Sequence, residues 1–282
     1  MLDKNKVREL DVLATNIRIE TIKQIATRGF GHIGGAMSIC DVLSVLYGDA
    51  MKVDPKNPKW EERDWFICSK GHAGPAVYST LALKGFFDME ELQTLNQPAT
   101  NLPSHCDRTK TAGIDVTTGS LGQGLSVATG VSLGNRLNGK ESYTYVILGD
   151  GECDEGQVWE AALYAAHKKL DHLIAFVDYN KQQIDGYTRE VNDLGDICRK
   201  FEDFGWYSMG VDGSKVEEIS QAIEKAKEQK GKPSMIVLNT KKGEGCSFAE
   251  NTLNNHHVQM SMEQAEEAIE ILEKKLNHLM NH

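Results

Sequence analysis

Gly149-Asp150-Gly151-Glu152-Cys153-Asp154-Glu155-Gly156 sets an acid between two glycines. The stretch follows a continuous apolar run, Tyr143 to Leu148, and precedes a segment of helical character. A glycine-rich turn that opens a helix can cradle phosphate on its amides. The spacing is not G-x-G-x-x-G, and no Gly-Lys-Ser/Thr follows, so neither a dinucleotide fingerprint nor a P-loop is present. Asp150 would repel a phosphate unless a divalent cation stood between them. A second oxygen donor for that cation is expected at the end of the next apolar run, Leu173 to Val177, which Asp178-Tyr179-Asn180 closes. A βαβ crossover would put the two strand ends side by side, about 5 Å apart if the strands pair directly. Asp150 and Asn180 can then ligate one ion, with the Gln182 backbone carbonyl as a third oxygen. Water and two phosphate oxygens would complete an octahedron suited to magnesium. Such a site lies outside the carboxyl ends of the strands, where open α/β sheets bind ligands.

The elements that must hold these residues are legible in outline. Trp65 to Cys68 and Met235 to Leu238 share the character of the two runs above. They are continuous rather than alternating, as parallel strands covered on both faces are. Helical stretches over 155–170 and 214–229 separate the later runs. This rhythm predicts right-handed crossovers and a doubly wound, mostly parallel sheet flanked by helices. Leu10, Leu13, Ile17 and Ile25 predict a first helix, which Gly29 to Gly35 ends, and Ile39 to Leu46 predicts a second. Ser261-x-x-Gln264 is a capping box, and Ala265, Ile269, Leu272, Leu276 and Leu279 make one apolar stripe behind it. A docking helix over about 261–280 is expected, within a single domain spanning 1–282.

Composition bounds the function class. The chain has 282 residues, a formal charge of −10 and 40% hydrophobic residues, values of a folded protein. The negative balance gives no support to a nucleic-acid binder. No apolar run approaches the ~18 residues of a membrane span. The first residues carry charge and lack the apolar core of a signal peptide, so a cytoplasmic location is expected. The six cysteines form no CxxC pair, which points to free thiols rather than zinc or a disulfide framework.

Gly149-Asp150-Gly151, followed at this distance by Asp178-Tyr179-Asn180, resembles the thiamine diphosphate signature. The neighbouring segments narrow the resemblance to transketolases. Gly31-His32-Ile33-Gly34-Gly35, Ser69-Lys70-Gly71-His72-Ala73-Gly74 and Ser104-His105 are similar to that family's three early histidine segments. Thr117-Thr118-Gly119-Ser120-Leu121-Gly122-Gln123-Gly124 is close to its T-T-G-P-L-G-Q-G stretch, and Ile184-Asp185-Gly186 also fits. The departures are Ile33 and Ser120, where the family has proline, and His257, where it usually has glycine. The resemblance implies a thiamine diphosphate-binding fold of the pyrophosphate type. It implies that Asp150, Asn180 and the Gln182 carbonyl hold the cation (magnesium, calcium or manganese), which holds the diphosphate, and that the Gly151 amide faces it. Gly119 and Leu121 would contact the aminopyrimidine and Ile184 would press on the cofactor. His32, His72, His105 and His256 would line the space around the thiazolium, with His72 and His256 also touching cofactor. Glu155 would lie beside the cofactor near a subunit contact.

The histidines have a chemical logic of their own. Breaking a C–C bond beside a carbonyl leaves an electron pair, which a thiazolium accepts, so the protein need only move protons on sugar hydroxyls. Imidazole suits that work near neutral pH. His167, His172, His278 and His282 read as helix-surface or tail residues. A full transketolase has two further domains, which supply the glutamate that activates the cofactor and the arginines that bind sugar phosphate. No segment here matches them, so the resemblance implies an N-terminal subunit completed by a C-terminal polypeptide. Two copies of each would give an α2β2 assembly that passes a two-carbon ketol unit from a ketose phosphate to an aldose. The alternatives are a subunit of a 1-deoxyxylulose-5-phosphate synthase-like enzyme, a split transketolase for an unusual sugar, and a cofactor-binding subunit without turnover. A nicotinamide-dependent dehydrogenase of related fold would need the glycine fingerprint that is missing.

Overall fold

The computed structural model describes residues 2–250 and 252–281. Met1, Asn251 and His282 lie outside the described residues, and so does the expectation for His282. In chain order the strands are β1 (Phe30–Gly31), β2 (Trp65–Cys68), β3 (Thr144–Gly149), β4 (Leu173–Tyr179), β5 (Tyr207–Asp212), β6 (Ser234–Asn239) and β7 (Val258–Gln259). The helices are α1 (Lys4–Ala26), α2 (Gly34–Met37), α3 (Cys40–Val45), α4 (Gly74–Leu83), α5 (Gln123–Leu137), α6 (Gly156–His167), α7 (Thr188–Val191), α8 (Ile197–Asp203), α9 (Val216–Glu228) and α10 (Met262–Asn281).

Five strands form one sheet in the order β2-β3-β4-β6-β5, parallel throughout. The continuous apolar runs serve both faces at once. Tyr145, Ile147, Ile174, Phe176, Ile236 and Leu238 pack on the side of α1, α3, α4 and α9. Their alternates Val146, Leu148, Ala175, Val177, Met235 and Val237 pack toward α5, α6 and α8. A strand buried on both sides has no polar face, which is why the runs do not alternate. Phe176 is fully buried in the middle strand; its truncation to alanine would cost about 3–5 kcal/mol.

β3 and β4 pair directly, with Gly149 opposite Asp178. The turn after β3 and the end of β4 therefore emerge together at the carboxyl edge of the sheet. A second, two-stranded sheet pairs Phe30 with Gln259 and Gly31 with Val258, antiparallel. It ties the glycine-rich segment after α1 to the loop before α10. The capping box of α10 is formed: the Ser261 Oγ accepts from the Gln264 amide at 3.1 Å, and the Gln264 Oε1 accepts from the Ser261 amide at 3.0 Å. Of the expected stripe Ala265 and Leu272 are buried, joined by Ala268, while Ile269, Leu276 and Leu279 are half-buried. The second helix predicted over Ile39 to Leu46 is found as α3, which runs on into a widened turn over Leu46–Ala50, while the short α2 precedes it, starting at Gly34 where only a break was expected. Among the described residues no helix is long and apolar enough to cross a membrane. All six cysteines are free, and all but Cys198 are buried.

Candidate active site

A cavity of about 330 Å³ opens at the carboxyl ends of β3 and β4. Its lining includes Asp150, Gly151, Asn180, Gln182 and Ile184, the histidines His32, His72, His105 and His256, and Gly119 and Leu121. Residues spread from position 32 to position 256 thus share one space. Glu155 is not among them. It is exposed at the start of α6, outside the lining.

At the carboxylate end, Asp150 is 2% exposed. Its Oδ1 accepts from the Gly151 amide at 2.9 Å, and its Oδ2 from the Lys181 amide at 2.7 Å and the Thr188 hydroxyl at 3.1 Å. The Gly151 amide, expected to face a diphosphate, is here spent on this carboxylate. Burial, reinforced by the neighbouring Asp178 charge, pushes Asp150 up to about 6 against these hydrogen bonds. A carboxylate so placed is short of positive charge. The Gln182 and Gln183 carbonyls receive the Lys242 ammonium, each at 3.4 Å, and the Gln182 Oε1 is buried with no hydrogen-bond partner. Burial holds Lys242 down to about 8, although Asp150 pulls the other way. A carboxylate, an amide oxygen, a backbone carbonyl and an unpartnered buried oxygen are the donors a hard dication takes. Among the described residues no group of three or more His, Cys, Asp or Glu could hold a metal, so an ion here would combine the Asp150 carboxylate with neutral oxygens and a ligand's own. Residues of this kind fit a dication that carries a diphosphate.

Glu152 fixes the turn from beneath. It accepts from the Gly149 amide at 3.0 Å, the Gly122 amide at 2.9 Å and the Ser69 hydroxyl. One buried carboxylate thereby joins the Gly-Asp-Gly turn, the Leu121–Gly122 loop and the segment leading to His72.

At the other end the imidazoles meet ring to ring. The His32 centroid lies 5.5 Å from His72, 5.5 Å from His105, 5.4 Å from His256 and 4.7 Å from His257. His72 and His256 are 4.7 Å apart. Close backbone approaches make the gathering possible. The Gly34 amide donates to the Asn255 carbonyl at 2.9 Å, and a Cβ on Gly34 would stand 2.5 Å from that oxygen. Gly119, at φ +134, lies where a Cβ would come within 2.8 Å of the His105 ring. Burial, then the neighbouring histidines, pushes His32 down to about 3. His256 falls to about 4 through burial and the Lys242 charge. His72 and His105 are lowered too, mainly by burial. These rings are neutral near pH 7, so each has one nitrogen to accept a proton and one that already carries one.

A family described as "Transketolase, thiamine diphosphate binding domain" matches residues 10–277. The chain belongs to that family. A 6-deoxy-6-sulfo-D-fructose transketolase subunit from Clostridium sp. (strain MSTE9) is 52% identical over 267 residues, covering 95% of this chain and 97% of that one. An apulose-4-phosphate transketolase subunit from Phocaeicola vulgatus is 36% identical, covering 97% of each. The crystal structure of a Pichia stipitis transketolase variant superimposes with a TM-score of 0.88 at 33% identity, over 95% of this chain and 40% of its own. The chain thus spans nearly the full length of relatives named as subunits and about two fifths of that solved transketolase. It is a transketolase-type chain that corresponds to the N-terminal subunit of a divided enzyme.

Several side chains at this cavity carry no signal of their own in the sequence. Lys70 and Lys242 line the cavity; Lys70 stands inside the His72 segment without a part of its own there, and Lys242 has no diagnostic spacing. His257 joins the cluster beside the expected His256. The two-residue pairing of β1 with β7 delivers it, and so short a ladder leaves no period to read.

Proposed function

We propose that the chain is the thiamine diphosphate- and magnesium-holding subunit of a two-polypeptide transketolase. The observation that carries this reading is the convergence in one cavity of Asp150, Asn180 and Gln182 with His32, His72, His105 and His256. Asp150, the Asn180 amide oxygen and the Gln182 carbonyl would hold the ion, and Lys242 would add a positive charge toward the diphosphate. Leu121 and Ile184, which are 37% and 70% exposed, offer apolar surface that a cofactor and a complementing polypeptide would cover. When bound, thiamine diphosphate supplies an electron sink for cleavage of the bond beside a ketone. The chain's own task is the proton. A neutral imidazole accepts the proton of the donor hydroxyl whose carbon becomes an aldehyde, and an imidazole so charged returns one to the acceptor's aldehyde oxygen. Crowding by other imidazoles and by Lys70 and Lys242 keeps the charged ring short-lived, which favours the return step.

The remaining surface supports an assembly. α5 and α6 expose Val127, Leu137, Leu163 and Tyr164 among polar and charged neighbours such as Arg136 and Glu160, apolar side chains that a second copy could cover, and Glu155 lies just before α6. An α2β2 arrangement, with the whole chain as one cofactor-binding domain, follows from this reading. The donor we favour is a ketose bearing a sulfonate, because the 52%-identical relative acts, by its name, on 6-deoxy-6-sulfo-D-fructose. The test mixes the purified chain with its complementing polypeptide, magnesium and thiamine diphosphate. Ketol transfer should need both polypeptides and should prefer 6-deoxy-6-sulfo-D-fructose to its 6-phosphate counterpart. Turnover by this chain alone would contradict the divided-site reading, and a preference for the phosphate would remove the sulfonate assignment only.

A further inference from the structure

We propose that Asp178 is a positioning residue that decides which atom of Asn180 faces the cation. The inference rests on the cofactor reading above and adds a residue to it. Asp178 lies near the end of β4 and is fully buried. Its Oδ2 accepts from the Ser38 hydroxyl at 2.7 Å, the Lys70 ammonium at 2.6 Å and the Asn180 Nδ2 at 2.9 Å. Its Oδ1 accepts from the Thr240 hydroxyl.

A carboxamide has an oxygen end and a nitrogen end of nearly equal shape. Left unanchored, Asn180 could turn either end toward the ion, and the nitrogen end, a pure donor, would repel it. Asp178 binds the nitrogen end and so leaves the Oδ1 exposed to the cavity. Among the described residues that oxygen accepts only the Gln182 amide, at 3.2 Å, and keeps a lone pair for a metal. Lys70 makes the arrangement tenable. A buried carboxylate facing only neutral donors would tend to take up a proton, but the two side chains, 2% and 0% exposed, form an ion pair. Lys70 also donates to the Gly35 carbonyl at 2.7 Å. The same carboxylate therefore joins the ion ligand to the His32 segment through Ser38, to the His72 segment through Lys70 and to the Lys242 segment through Thr240. Groups that orient a metal ligand in this way typically contribute about 10–100-fold in affinity.

The experiment compares two replacements of similar size. Asp178→Asn keeps an oxygen that can accept from Asn180, and Asp178→Leu does not. Both are made with Lys70→Met, so that neither leaves a buried ammonium without its partner. In enzyme assembled with its second polypeptide, calorimetry with magnesium and thiamine diphosphate should find the Leu variant about 10–100-fold weaker than the Asn variant. In the full chain without cofactor, NMR of the ¹⁵N-labelled Asn180 side chain should show its amide protons exchanging about tenfold faster in the Leu variant. Adding Asn180→Asp to the Leu variant should restore affinity, since a carboxylate shows an oxygen whichever way it turns. In the wild type the same change should weaken binding, because it sets two carboxylates together. Equal affinity or equal exchange in the Asn and Leu variants overturns the proposal, as does an Asn180→Asp change that weakens both backgrounds. The exchange measurement needs no cofactor, so it stands or falls separately from the functional reading.

Discussion

The carboxylate end and the histidine end of the cavity are built by different means. Asp150 and Asn180 follow two strands that pair residue by residue, Gly149 against Asp178. Their separation is set by the sheet and by the core residues on both of its faces. The histidines arrive on four segments, and none of them lies inside a strand of the large sheet. They are held by single backbone bonds, such as the Gly34 amide to the Asn255 carbonyl, and by the β1–β7 ladder. On the function proposed above, Asp150 and Asn180 would hold an ion and could not wander, which suits the rigid element. On the same proposal the histidines would pass protons to sugars of varied shape, and such groups can be carried on loops.

The division predicts effects that differ in kind. Asp150→Ala should have the largest. It removes the only carboxylate assigned to the ion, so magnesium-dependent thiamine diphosphate binding by the assembled enzyme should fall by more than about 100-fold, beyond the cost of losing an orienting group. Calorimetry checks this, and an unchanged dissociation constant would detach Asp150 from the cofactor altogether. His32→Ala should come next and act on the other axis. Its ring stands amid His72, His105, His256 and His257, so kcat should fall by about 10²–10⁴ while cofactor affinity stays within a few-fold. Loss of affinity with kcat intact would erase the boundary between the two ends.

That boundary also separates what can be read from the chain. β3, β4 and the turn between β3 and α6 announce themselves, because strands buried on both faces need unbroken apolar runs and a glycine turn must follow. The pairing of Asp150 with Asn180 comes from the same logic. β5 does not announce itself. Its residues Tyr207 to Asp212 lie on the sheet edge, half-buried, and include a serine and a glycine where a central strand would be branched and apolar. α5 is hidden because Gly124, Gly130 and Gly134 interrupt any helical period; Gly124 is there because a Cβ would lie 2.1 Å from the Ser69 hydroxyl. The histidine cluster is legible only through resemblance to a family, since four loops carry no common period. Lys70 and Asp178 stand inside motifs without a part of their own, because an ion pair between positions 70 and 178 is a product of the fold and leaves no trace in spacing.

Acid offers the smallest effect and the sharpest contrast, because the two ends should answer it with opposite sign. His32 sits near 3 in the folded chain, below the ~6.5 of a free imidazole. Between those values the unfolded chain binds more protons, so this group's contribution to stability is present above about 6.5 and is lost as pH falls. Asp150 sits near 6 in the folded chain, above the ~3.9 of a free aspartate. Between those values the folded chain binds more protons, so acid relieves the cost of its buried charge, about 2–3 kcal/mol at 1.36 kcal/mol per unit. Thermal unfolding of the metal-free chain, kept in chelator, should therefore find Asp150→Asn gaining on wild type as pH rises from 5 to 7, by about half of that cost, over a fixed loss from the amide nitrogen that replaces one accepting oxygen. His32→Gln should flatten the wild-type loss of stability between about pH 6.5 and 5 and change little above pH 7. Parallel shifts in both variants would mean that one coupled network spans the cavity. Opposite shifts would mean that the ion-holding end is destabilised in the free chain for the sake of the charge it is built to receive, while the proton-handling end keeps its imidazoles neutral through burial.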